Sequence, residues 1–119
     1  MANFFGTDGI RGVFGKTLTS SLAINVGNAL TMVRHNPRII IGADTRISSD
    51  ILKCAVAIGV MTGGGNVVDM GIVPTACISY LTKKFHFDFG VMISASHNPA
   101  EYNGIKVFKS NGQKMNDEE

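Results

Sequence analysis

The sequence is short of charge, short of cysteine and without a long apolar run, and each shortage removes a class of function. Charged residues make up 17% of the chain and balance to a formal +2. No cluster of Lys or Arg follows the course of a nucleic-acid backbone, so no nucleic-acid partner is expected. No apolar stretch approaches the roughly 20 residues of a membrane span, and no membrane partner is expected either. Residues 1–12 hold charge and glycine but no apolar h-region, so no signal peptide is read there. With only two cysteines, Cys54 and Cys77, and no sign of an oxidising compartment, free buried thiols and a cytoplasmic setting are expected. Internal repeats and low-complexity tracts are also missing.

Three chemistries lose their signature in the same way. A nucleophile elbow would read G-x-S-x-G, and no such run occurs. The histidines have no metal-ligand spacing, which leaves His35 and His86 as surface residues at element ends. Gly63-Gly64-Gly65 follows a helix and precedes a strand, the reverse of the order a dinucleotide fingerprint needs.

What remains is a globular chain of 119 residues, 45% apolar, sized for one domain over residues 1–119. Leu22, Val26, Ala29, Leu30 and Val33 recur at helical spacing behind a cap at Thr19 or Ser20, and Asn36-Pro37 stops that helix. Arg38 to Ala43 reads as a strand whose Ile39-Ile40-Ile41 run predicts burial on both faces. A second helix from about Ser48 or Ser49 carries Leu52, Ala55, Val56, Gly59 and Val60 on one stripe and ends at the three glycines. Asn66 to Met70 is the next strand, Pro74 opens a helix to about Lys84, Phe87 to Ile93 is a strand, and Ile105 to Phe108 is a fourth. Strands alternating with helices predict an α/β fold, a three-layer α/β/α sandwich around a mostly parallel four-stranded mixed sheet. Asn116 followed by three acidic residues reads as the start of a further helix, so the chain is expected to be truncated.

Ligands of such sheets collect beyond the carboxyl ends of the strands. The third strand delivers Ser94-Ala95-Ser96-His97-Asn98-Pro99 to that edge, where a serine on a tight turn is exposed and fixed in direction. Spacing alone does not choose between Ser94 and Ser96. Arg11, Arg46 and Lys106 lie on segments that can converge on the same side, and Gly9 and Gly104 allow backbone N–H groups to approach an anion. Transferring a phosphoryl group calls mainly for positioned positive charge and N–H donors. Asp8 either closes a turn or orients Arg11.

Gly6-Thr7-Asp8-Gly9-Ile10-Arg11-Gly12, Ile93-Ser94-Ala95-Ser96-His97-Asn98-Pro99 and Asn103-Gly104-Ile105-Lys106 together resemble the first domain of the α-D-phosphohexomutases. The first loop is in the form typical of their phosphoglucosamine mutases. The resemblance spans nearly the whole chain. It implies that Ser96 is the phosphoserine, with His97 and Asn98 completing its loop, Arg11 and Lys106 beside it in proton transfer and charge stabilisation, and Arg46 in support. It also implies a reaction between glucosamine 6-phosphate and glucosamine 1-phosphate through glucosamine 1,6-bisphosphate. One Mg²⁺ would bind Ser96 through its phosphate, its other ligands lying in later domains, which are the expected partners. A phosphomannomutase or phosphoglucomutase relative is the alternative. The isolated chain is expected to be inactive, and a homodimer or a non-catalytic assembly module is the further reading.

Overall fold

The computed structural model describes residues 10–95, 98–99 and 101–115. Among them, β1 (Ile10–Val13), α1 (Ser20–Val33), β2 (Arg38–Ala43), α2 (Ile47–Thr62), β3 (Asn66–Ile72), α3 (Thr75–Lys84), β4 (Phe89–Ile93) and β5 (Tyr102–Lys109) follow in order. Local chemistry accounts for most of these boundaries. The Thr19 hydroxyl accepts the Leu22 N–H at 3.1 Å and caps α1. Asn36, at φ 48°, turns the chain into Pro37 and β2. After α2 the left-handed residue is Gly64, at φ 95°, while the cap Gly63 stays at φ −84°. Pro74 stands at the N-cap of α3, one residue before the helix, and Lys83 and Lys84 in its last turn suit the negative end of the helix dipole.

The sheet has five strands in the order β1-β5-β4-β2-β3. β2 pairs parallel with β3 and β4, whereas β5 runs antiparallel to β4 and β1. This corrects the expected four-stranded, mostly parallel sheet in two respects. A fifth strand, β1, forms where a glycine-rich loop was expected, and parallel and antiparallel pairings are equal in number. Its four residues include Gly12 and are too short for a periodic pattern; β1 exists because β5 offers it an edge.

Two helices cover one face of the sheet and one covers the other. Ala23, Val26 and Leu30 of α1 and Leu52, Val56 and Val60 of α2 pack with alternate residues of β2, β4 and β5, among them Ile39, Ile41, Val91, Ile105 and Val107. On the opposite face Ile78 of α3 joins Ile40, Met92, Phe87 and Phe108. The three-layer sandwich is as expected, and the isoleucine run of β2 is buried on both faces. β3 departs from it. As the edge strand it leaves Val68, Met70 and Ile72 exposed.

α1 and α2 cross at close range through Gly27 and Gly59. A Cβ at Gly27 would run into the Val56 carbonyl, and one at Gly59 into the Ile24 carbonyl. The cysteines differ from expectation as well: Cys54 is exposed and Cys77 half-buried. Cys54 belongs to a solvent-facing stripe of α2 that also carries Ile47, Ile51, Ile58 and Met61. No helix among the described residues is long and apolar enough to cross a membrane.

Candidate functional site

The carboxyl ends of the parallel strands form one rim of the sheet. Ala43 at the end of β2 lies beside Ile93 at the end of β4, and Val13 at the end of β1 lies beside Tyr102 at the start of β5. The Ser94 N–H donates to the Gly104 carbonyl (3.0 Å), and the Asp44 N–H to the Ile93 carbonyl (3.0 Å). The segment after β4, with its serine-rich motif, therefore leaves the sheet at this rim and returns to it at Tyr102.

Ser94 is buried, 7% exposed, and its hydroxyl is bound to the Asp44 carboxylate. Ser96 and His97, like Gly9, lie outside the described residues. The positions flanking Ser96 and His97 are tightly held: Asn98 donates to the Ala95 carbonyl from its backbone N–H (3.1 Å) and from Nδ2 (2.9 Å).

Two cationic side chains share one face of the sheet at this end. Arg11 lies opposite Gly104 in the antiparallel β1–β5 pair, and Lys106 lies opposite Met92 in the β5–β4 pair. Directly opposed residues point to one face, as do residues two apart on a strand. Met92 packs in the α3-side cluster, so Arg11, Gly104 and Lys106 all belong to that face. Arg11 is exposed and Lys106 only 8% exposed. Gly104 is required by closeness: a Cβ there would sit 2.8 Å from the Ser94 carbonyl oxygen, 2.9 Å from that of Ile10 and 3.2 Å from Arg11 Cγ. Any larger residue would push the cationic strand away from the serine loop.

On the other face, a polar network anchors the same rim to the start of α2. Buried Asn103 donates from Nδ2 to Ser48 Oγ (2.8 Å) and Ser49 Oγ (3.0 Å), while its Oδ1 accepts the Gly104 N–H (2.9 Å). The Ser49 hydroxyl also donates to Asp44. Burial works to raise the Asp44 carboxyl. Hydrogen bonds from Ser49, the Arg46 N–H and Ser94, together with the Arg46 charge, outweigh burial and hold the carboxyl below the ordinary 3.8. Asp44 is thus an anion committed to its neighbours.

Arg46 sits in the middle of this network. Its Nε donates to Asp44 (3.2 Å), Nη1 to the carbonyls of Pro99 (2.7 Å) and Tyr102 (3.1 Å), and Nη2 to that of Asn98 (2.8 Å). The Asp44-Thr45-Arg46 run allows either phosphate binding or an ion-paired loop cap, and Arg46 forms the ion pair with Asp44 while donating to the returning loop.

Sequence reasoning passed over Ser48 and Ser49 as parts of the site, and took Asn103 only as a member of the Asn103-Gly104-Ile105-Lys106 motif. A signal was available in Asn103, a polar residue at the head of an otherwise apolar strand, which must find partners when buried.

Residues 2–119 match the family model described as phosphoglucomutase/phosphomannomutase, alpha/beta/alpha domain I. The chain belongs to this family. Among curated relatives, a phosphoglucosamine mutase of Clostridium botulinum (strain Langeland) is 51% identical over 122 residues, covering 99% of this chain and 27% of that protein. One from Thermoanaerobacter sp. (strain X514) is 49% identical with the same coverage. Among solved structures, a putative phosphomannomutase from Thermus thermophilus superposes with a TM-score of 0.86 at 30% identity, over 96% of this chain and 27% of that one. A phosphoglucomutase/phosphomannomutase family protein from Burkholderia thailandensis gives 0.73 at 31% identity, over 87% and 25%. The chain therefore spans about a quarter of the length of these family members.

Proposed function

We propose that this chain is the phosphoryl-carrying domain of a phosphoglucosamine mutase and that Ser96 carries the group. Ser94, which precedes the motif's second serine, meets Gly104 at the end of the sheet that also carries Arg11 and Lys106, and this supports the reading; the relatives' names point to glucosamine phosphate as substrate.

In the forward direction the Ser96 Oγ–P bond breaks as phosphorus bonds the sugar O1 of glucosamine 6-phosphate; O1 gives up its proton and the released Ser96 Oγ takes one up. The glucosamine 1,6-bisphosphate then turns over. Its O6–P bond breaks as phosphorus returns to Ser96, whose Oγ gives up its proton while O6 takes one up, and glucosamine 1-phosphate leaves. Charge on the group in flight spreads over its equatorial oxygens, and fixed cations lower that barrier most when they need not reorganise. Lys106, buried and set on a strand, is suited to this stabilisation. Arg11, exposed at the edge strand, is suited to meeting the incoming anion and moving its proton. His97 and Asn98 complete the loop around Ser96, and Gly9 and Gly104 leave room for the phosphate.

The Mg²⁺ that the family implies would be held here only through the Ser96 phosphate. Among the described residues no cluster of His, Cys, Asp or Glu is arranged to hold an ion, and the Asp44 carboxylate is already engaged. Its remaining ligands would come from later domains of the same protein. When bound, the ion supplies neutralising charge. The isolated chain is expected to be inactive, and the whole protein to work in the cytoplasm.

Offering the full-length protein glucosamine, glucose and mannose 6-phosphates in parallel tests the substrate. The kcat/KM for the glucosamine compound should lead by at least about tenfold, since a site that hydrogen-bonds a substrate amine rejects an analogue without it. Preference for either other sugar would make the protein a phosphomannomutase or phosphoglucomutase instead.

The exposed stripe on α2 supports a second reading, self-association. Ile47, Ile51, Cys54, Ile58 and Met61 fall at alternating spacings of four and three, the pattern of a helix seam that packs against another helix. Ile47 is 93% exposed, and the stripe runs into a groove of about 470 Å³ lined by Phe14, Ile47, Ile51 and Glu101. Light scattering on a sizing column should show a dimer of the full-length protein that Ile51→Glu converts to monomer. A monomer from the start would leave the stripe for another domain to cover.

A further inference from the structure

The geometry assigns Arg46 the task of holding the serine loop in register, as a positioning residue that does not itself touch the substrate. This rests on Ser96 being the phosphoryl carrier. Three carbonyls from two separated places in the loop, Asn98 and Pro99 on one side and Tyr102 on the other, converge on one guanidinium. The opposite side of the same group is held by Asp44, both through Nε and through the Arg46 N–H (3.1 Å).

Asp44 is in turn tied to the end of β4, its N–H donating to the Ile93 carbonyl, and to the start of α2 through Ser49. The clamp therefore runs from the rigid ends of two central strands to a loop that has left the sheet. The position supports the assignment, because Asn98 is two residues past Ser96 and Arg46 takes its carbonyl.

Chemistry favours arginine for this work. A planar fork delivers several N–H donors in fixed directions, whereas an ammonium offers three donors about a single point and cannot span carbonyls on two sides. Charge argues the same way. The Arg46 cation is compensated by the Asp44 anion 3.2 Å away, so the pair adds little net field for a phosphate, while Arg11 and Lys106 lie on the α3 face of the sheet. Removal of Arg46 should cost alignment of the nucleophile and leave sugar binding in place. Misplacement of a reacting group by about 1 Å can cost on the order of 10²-fold in rate.

The experiment compares Arg46→Lys and Arg46→Ala with wild type in the full-length protein, with thermal unfolding as the check on folding. Both variants should lower kcat about 100-fold while KM for glucosamine 6-phosphate stays within about threefold, the signature of an effect confined to the transition state. The rate at which glucosamine 1,6-bisphosphate phosphorylates dephosphorylated enzyme, followed by intact mass, should fall by a similar factor. The lysine variant keeps charge and stem and decides the matter if the alanine variant does not fold. Wild-type kcat in Arg46→Lys would overturn the assignment. So would a KM raised about tenfold with kcat retained, which would make Arg46 a contact of the substrate phosphate. Failure of the underlying reading looks different: Ser96→Ala would then keep its phosphate and its activity, whatever Arg46 does.

Discussion

Full-length protein carrying Ser96→Ala should lose its covalent phosphate, seen by intact mass, and its turnover together. On the proposed role of Ser96 the phosphoryl group then has no carrier between O6 and O1, and removing a catalytic nucleophile lowers kcat by at least about 10⁴-fold in enzymes that depend on one. Ser94→Ala is the informative partner. Its hydroxyl donates to Asp44 from a buried position, so its loss costs about 1 kcal/mol of stability and leaves the phosphate on the protein. A phosphate that survives Ser96→Ala and disappears with Ser94→Ala would transfer the role to the buried serine and contradict the rim geometry.

The largest effect on folding is expected at the crossing of α1 and α2. Leucine at Gly59 meets the Ile24 carbonyl, and Asn28 and Ile24 backbone atoms lie within 3.0 Å of where its Cβ would start. Backbone cannot step aside by changing a rotamer, so the helices must separate along their length and loosen Val26, Leu30, Val56 and Val60 behind them. Overpacking of this kind costs about 3 kcal/mol or more. In a domain of this size that lowers Tm by roughly 10–20 °C in a thermal melt. An unchanged Tm for Gly59→Leu would mean that the two helices do not cross at this point.

Much of the fold was legible because its signals are local. Thr19 caps a helix by reaching three residues along its own chain, and Asn36-Pro37 and Gly64 end helices through their own dihedral preferences. The Ile39-Ile40-Ile41 run announces a strand with helices on both sides. Misreadings arose where an element depends on a distant neighbour. β1 is four residues that become a strand only because β5 pairs with them. β5 itself was read short, from Ile105 to Phe108, because Tyr102, Asn103 and Gly104 belong to the strand through their pairing with β1. β3 was read as a strand from Asn66 to Met70 with no sign of its position, and its place at the sheet edge leaves five of its seven residues exposed. Cys54 was expected inside because its surroundings are apolar; the helix turns it onto the outer stripe.

The candidate site divides along the same line. By itself the sequence determined which groups are available: a serine-bearing segment after an apolar strand, cations at Arg11, Arg46 and Lys106, and glycines near them in the chain. Residue type and short-range spacing carry that information. Tertiary structure alone decided how these groups are used. The antiparallel register of β1, β5 and β4 sets Arg11 and Lys106 on one face, Ser94 is buried, and Arg46 turns toward carbonyls that lie more than fifty positions away along the chain. Pairings across such distances depend on the path of the whole backbone, and no short stretch of residues encodes them.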